Sequence, residues 1–141
     1  MLRAGATMVL CFAALAAAGC GGSETEDAAD AAQAYVHDFG RRDGKAVCDD
    51  MTTALQGQFR AAVVRANPQV RARNCASLMN LALASLPPDQ LRRFAAARID
   101  RVKVDGSQGT FRYHVGTINV PGKVAKEEGE WKVSCCVRGQ G

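Results

Sequence analysis

The amino-acid sequence predicts an α+β domain in which N-terminal helices pack on one face of a three- or four-stranded antiparallel sheet. Three observations carry this. Apolar residues recur at helical spacing between about residues 24 and 95. From about Arg98 the period changes to two, the period of half-buried strands. Helices and strands are therefore segregated along the chain, which is the order of an α+β domain rather than of alternating α/β units. At 141 residues and 48% hydrophobic, the chain has enough apolar material for one core, and its 23% of charged residues is ordinary for a globular protein.

The N-terminus reads as an export signal. Met1-Leu2-Arg3 is a short basic start, and Ala4 to Ala18 is an apolar run of 15 residues, too short to span a hydrocarbon core of about 20 helical residues and suited to a secretory signal. The run ends Leu15-Ala16-Ala17-Ala18-Gly19-Cys20, which resembles the bacterial lipobox. Small residues at Ala17, Ala18 and Gly19 leave uncrowded backbone for a peptidase, and the Cys20 thiol can then carry a diacylglyceryl group. The expectation is a signal peptide over residues 1–19, an acylated cysteine and flexible Gly-Gly-Ser tether over 20–23, and one domain over 24–138. The expected location is the extracytoplasmic face of a cell membrane, held by lipid.

Ser23-Glu24-Thr25-Glu26 fits a capping box, and Ala28, Ala32, Tyr35, Val36 and Phe39 give the helix after it one apolar face. The Arg42-Asp43-Gly44 stretch ends it. A short helical turn holds Ala46, Val47 and Cys48. Thr53-Ala54-Leu55-Gln56 is a second capping-box pattern, and its helix stops at Asn67-Pro68. A third helix is expected from about Arg71 to Leu86. Pro87-Pro88-Asp89 restarts the chain, since proline and aspartate suit a first helical turn. Among the strands, Asp105-Gly106 is a strong hairpin signal. Phe111, Tyr113 and Val115 alternate with Arg112 and His114. Residues 116–122 contain Pro121-Gly122 and read as a loop or edge strand, with a short strand from Val124. Glu128-Gly129 turns the chain into Trp131, Val133, Cys135 and Val137, which alternate with polar partners.

Outside the cytoplasm disulfides are allowed. Apart from Cys20, the exported chain would hold Cys48, Cys75, Cys135 and Cys136, which allow three connectivities. Cys48 with Cys75 is the expected pair, because both lie at ends of neighbouring helical elements. Cys135, on the inner sheet face, bridging to Cys48 or Cys75 is the rival. Cys135 and Cys136 point to opposite strand faces, so one reads as a small buried hydrophobe and the other as a thiol near the surface.

The formal net charge is +4 and is unevenly spread. Glu24 to Asp50 is mainly acidic and Arg60 to Arg112 mainly basic. The basic stretch reads as solvated faces, and alternatively as attraction to anionic lipid headgroups near the anchor. Nucleic acid is not an expected partner, because few aromatics interleave with the arginines.

Ala31-Ala-Gln-Ala-Tyr-Val-His-Asp-Phe-Gly-Arg-Arg-Asp43, followed by Cys48, Cys75 and the closing strand Glu128-Gly-Glu-Trp-Lys-Val133, resembles the small lipoproteins with a nuclear-transport-factor-2-like (SnoaL-like) domain, the cystatin-like α+β cone. The resemblance covers most of the exported chain and is compositional. It implies a pocket between sheet and helices. Members that act on small molecules use a carboxylate or histidine base beside a tyrosine or tryptophan, and the corresponding residues here are Tyr35, Asp38, Tyr113, His114 and Trp131. Read without the resemblance, Tyr35, Phe39, Phe111 and Trp131 are core, and His114 is a solvated strand residue facing away from Tyr113.

Nucleotide-binding glycine motifs and nucleophile elbows do not occur in the sequence. Two histidines and no Cys-x-x-Cys point away from zinc. The carboxylates of Asp49 and Asp50 beside Cys48 oppose thiolate formation. No catalytic residue, metal or cofactor is assigned. The expected function is a lipid-anchored, non-catalytic binding or interaction module, its partners the membrane through Cys20 and an envelope protein or small molecule, the alternative being a small-molecule binder or enzyme using the cone pocket.

Overall fold

A computed structural model describes residues 20–71 and 73–135. The expected signal peptide over 1–19 and the positions Cys136 to Arg138 lie outside the described residues. The chain is α+β, as the segregated periodicities predict: helices α1 (Cys20–Gly40), α2 (Gly44–Asp49), α3 (Thr53–Ala66), α4 (Cys75–Ala84) and α5 (Pro88–Ala95) precede strands β1 (Arg98–Asp105), β2 (Gln108–Val115), β3 (Ile118–Glu127) and β4 (Glu130–Cys135). The strands form one antiparallel meander in the order β1-β2-β3-β4.

Helix α1 lies across the sheet, packing on β1, β2 and β4. Its Ala28, Ala32, Tyr35 and Val36 are buried against Phe111, Tyr113, Val120, Val124, Trp131 and Val133, so the helical period of one element meets the two-residue period of the others. At its start the helix is tied to the sheet by Glu24, which accepts from the Trp131 indole N–H at 2.7 Å and from the Lys126 ammonium. Further along, the Gln33 side chain donates to Ala97 O and accepts from Ile99 N at the start of β1. The helix already begins at Cys20, ahead of the expected Ser23 cap. Among the described residues the buried ones fall between Ala28 and Val133, so a protein starting at residue 21 keeps all of them.

The caps differ from the sequence reading by a residue or more. Thr52, not Thr53, caps α3 by accepting from Leu55 N. Thr53 instead donates its N–H and hydroxyl to Glu127 at the end of β3, and Gln56 reaches the carbonyls of Cys48 and Met51. Asn74 caps α4 by accepting from Ser77 N, which starts that helix four residues later than expected. Such shifts are common because a hydroxyl or amide one position away can satisfy the same free N–H groups.

Cys48 and Cys75 are disulfide-bonded, with Cα atoms 6.2 Å apart, so the expected pairing is present and joins α2 to the start of α4. Cys135 is itself disulfide-bonded rather than a simple buried hydrophobe. A bulge between Lys123 and Val124 leaves Cys135 opposite Lys123 and so moves it off the inner face that its alternation with Trp131 and Val133 predicted.

The segment around Pro121 is also a correction. Of the two readings, loop or edge strand, the structure has the strand: residues 118–127 are continuous, and no separate short strand starts at Val124. Two tertiary facts permit it. Among the described residues β4 pairs with β3 only as far as Lys123, so Pro121 sits where the ladder needs one side alone. Gly122 leaves room for the Phe111 ring, which lies where a Cβ would otherwise project. The Glu128-Gly129 turn has positive φ at both residues, 54° and 85°, as a tight two-residue hairpin requires.

Candidate functional site

The five residues singled out by the sequence do not form one site. Tyr35 and Tyr113 are buried, 5% and 1% exposed, and lie in an aromatic row with Phe39, Phe94 and Phe111. Burial pushes both phenols up, Tyr113 to about 12. For Tyr35, the neighbouring Tyr113 and Asp50 add to the effect of burial. Asp38 is close enough to Asp50 for its charge to act there. Tyr35 and Asp38 are both within charge range of Asp50, a residue the sequence reading used only as a neighbour of Cys48, and Tyr113 lies beside Tyr35. His114 is elsewhere: it bonds to Asp100 at 2.8 Å across the β1–β2 ladder, half-exposed. Trp131 is a core residue engaged with Glu24.

Asp50 is held in place by its backbone, whose carbonyl accepts from Val133 N at 2.8 Å while Thr52 N donates to Val133 O. This short parallel bridge carries the chain along the β4 edge and turns the Asp50 carboxyl inward. Its Oδ2 is buried with no hydrogen-bond partner among the described residues. Burial, then the charges of Asp38 and Asp49, raise its pKa from the ordinary 3.8 to about 6, against a smaller opposing effect of Lys132. The native state thus binds this proton more tightly than the unfolded chain. Asp50 weakens the fold progressively as pH rises from about 3.8 to about 6, and the penalty is constant above that. Its size is about 1–2 kcal/mol, less than the whole shift would give because solvent partly screens a half-buried carboxyl. Asp50→Asn is expected to raise unfolding free energy by that amount at pH 7.5 and to change it little at pH 3.5, measured by urea unfolding at both values. Glu24 and Glu127 run the other way: their hydrogen bonds, chiefly from Lys126 and from Thr53, hold them below the ordinary carboxylate value, so their contribution is lost as pH falls, equally in both proteins. A variant no more stable than wild type at pH 7.5 would contradict the buried-charge account.

The opposite side of the sheet carries a different feature. Because Phe111, Tyr113, Val120 and Val124 face the helices, Thr110, Arg112, Pro121 and Lys123 face outward. They surround a shallow depression of about 540 Å³, walled by Arg101, Lys103, Arg112 and Lys123. Arg101 belongs there because a bulge interrupts the β1–β2 register between Asp100 and Lys103. Its φ is +50°, a conformation that costs a non-glycine residue on the order of 1 kcal/mol and that re-aims a side chain out of the strand's alternation. Among the described residues none of the four cations has a hydrogen bond or ion pair to a carboxylate. The nearby Asp100 is taken by His114.

A second depression, of about 500 Å³, lies beside the Cys48–Cys75 bond between α2, α3 and α4. Its polar groups are mostly engaged: Lys45 with Asp49, Gln56 with two carbonyls, and Asn74 with its own helix. The basic outer face is therefore the surface with the most unsatisfied chemistry. The sequence placed Arg101, Lys103 and Arg112 in a basic stretch but not the face they share with Lys123, because the four residues come from three strands and a bulge. The signal available was the density of outward arginines and lysines at alternate positions from Arg101 to Lys123.

Among the described residues no cluster of three or more metal-ligating side chains occurs, and no helix is long and apolar enough to cross a membrane. Comparison with protein-family models, with curated proteins and with solved structures finds no match.

Proposed function

We propose that this chain is a lipid-anchored, extracytoplasmic, non-catalytic binding module that engages an anionic target through the outer face of its sheet. The observation that supports it best is the set of four cations around one depression that have no carboxylate partner among the described residues. Keeping like charges together without counter-ions is unfavourable, and an anionic partner would relieve it. The anchor rests on the Gly19-Cys20 junction and the apolar run before it. The long helix laid across a meander also fits a cystatin-like cone. A second reading, a small-molecule binder or enzyme using the inner face, draws on the orphaned Asp50 Oδ2 between Tyr35 and Asp38. No base with a matched acid faces it across an open pocket, so the outer face is preferred.

The anchor is tested by growing cells with radiolabelled palmitate. Wild type is expected to take up label and stay with membranes through a high-salt wash, and Cys20→Ala to take up none. Equal labelling of the two would remove the lipid anchor from the proposal.

A further inference from the structure

We infer that the basic outer face of the sheet docks flat on the anionic headgroups of the membrane to which the chain is anchored, so that the lipid holds the domain and the sheet orients it. The inference rests on the proposed anchor for its setting, but the contact itself is a property of the folded domain.

The first support is the disposition of charge between the two layers. Arg101, Lys103, Arg112 and Lys123 stand on the outer sheet face. Lys103 and Lys123 both pair with Thr110, so their strands are about 10 Å apart, and Arg112 stands one outward position along β2. The helical layer has no such excess of positive charge, with nine Asp or Glu against nine Lys or Arg over residues 20–97, and its acidic groups gather on α1 and α2. Glu26, Asp27 and Asp30 are exposed on α1, whose other face is buried on the sheet, and Asp43, the cap of α2, and Asp49 at its end follow. Near an anionic surface such a molecule turns the basic sheet face toward the lipid and the acidic stretch of α1 and α2 away from it. Each basic residue near the surface contributes about 1 kcal/mol.

The second support is the lack of fixed donors. A site for one small anion is built from convergent, rigidly held donors. Here the strand N–H groups are committed to the ladders on either side of β2, and Thr110 supplies one hydroxyl. What remains are long, flexible ammonium and guanidinium groups, which match a diffuse array of headgroups better than a single ligand.

The third support is distance. Helix α1 starts at Cys20, and by Glu24 it is already bonded to Lys126 and Trp131 of the sheet. Four helical residues rise about 6 Å. An acyl group on Cys20 would therefore keep the domain next to the headgroups, and the charges of its two faces would then set which side meets them.

The test uses protein from residue 21 onward, which keeps all the described buried residues and has neither leader nor anchor. Its outcome is thus independent of acylation, which the palmitate experiment decides. Sedimentation is measured with vesicles of phosphatidylcholine containing phosphatidylglycerol, and with pure phosphatidylcholine. Binding is expected to the anionic vesicles alone, weakening steeply with salt. Arg112→Glu with Lys123→Glu is expected to lower the partition coefficient at least thirtyfold, from two contacts of about 1 kcal/mol each. Arg65→Glu with Arg71→Glu makes the same change of net charge on exposed helical-layer residues and is expected to change binding less than threefold. Circular dichroism confirms that both variants are folded. Equal losses from the two pairs would show a response to net charge alone and overturn the inference, as would wild type that ignores anionic vesicles. Saturable binding of inorganic phosphate, lost in the Arg112/Lys123 pair without any vesicle binding, would assign the face to a small soluble anion instead and equally overturn it.

Discussion

Trp131→Ala is expected to lower unfolding free energy by about 3–5 kcal/mol, the cost of deleting a large aromatic from a packed core. Trp131 is 8% exposed on the inner face of β4, cross-strand from Lys126, whose ammonium lies 5.6 Å from the ring centroid. Its indole N–H is donated to Glu24 at 2.7 Å. Truncation therefore opens a cavity and also removes one of the two bonds that fix the start of α1 on the sheet. A typical domain has about 5–15 kcal/mol in total, so the variant should be marginal at 37 °C. Urea unfolding of protein from residue 21 onward, followed by far-ultraviolet circular dichroism because the reporter tryptophan is gone, measures the loss. A loss below about 1 kcal/mol would be that of an ordinary surface change and would contradict the burial of the ring.

The second large effect is expected at the Cys48–Cys75 bond. The cysteines are 27 positions apart, and the chain-entropy model gives about 3.6 kcal/mol for a loop of that length, before native strain is subtracted. Both residues are buried, 4% and 8% exposed, so the bond ties elements that already pack. α2 and α4 are further joined by Gly44 N donating to Asn80 Oδ1 at 3.0 Å. The packing keeps the reduced form folded at low temperature, and the missing bond shows in the midpoint. Substitution is the cleaner test, because reduction would also open the bond at Cys135. The double variant Cys48→Ala with Cys75→Ala, compared with wild type in urea under non-reducing conditions, should lose about 3–4 kcal/mol. An unchanged midpoint would mean that the unfolded chain gains no freedom when the link is removed.

The sequence by itself determined the class of fold, the order of elements and most of the core. Periodicity is a local property: Ala28, Ala32, Tyr35 and Val36 share a helix face wherever that helix goes, and Phe111 and Tyr113 share a strand face. Turn chemistry is equally local, which is why Asp105-Gly106 and Glu128-Gly129 were legible. The cysteine pair was legible because helix ends tolerate approach. Three other features needed the tertiary structure. Pro121-Gly122 became part of a long strand because β4 leaves β3 unpaired there among the described residues, and because the Phe111 ring needs the space of Gly122. Asp50 became the most strongly perturbed carboxylate because a backbone bridge to Val133, distant in sequence, turns it inward beside Tyr35 and Asp38. The basic face exists because a bulge at Arg101 and the pairing of three strands bring together cations separated by up to 22 positions. Local patterns say which way a side chain points from its own element. Which distant side chains then meet, and whether a charge finds a partner there, is decided by register and packing alone.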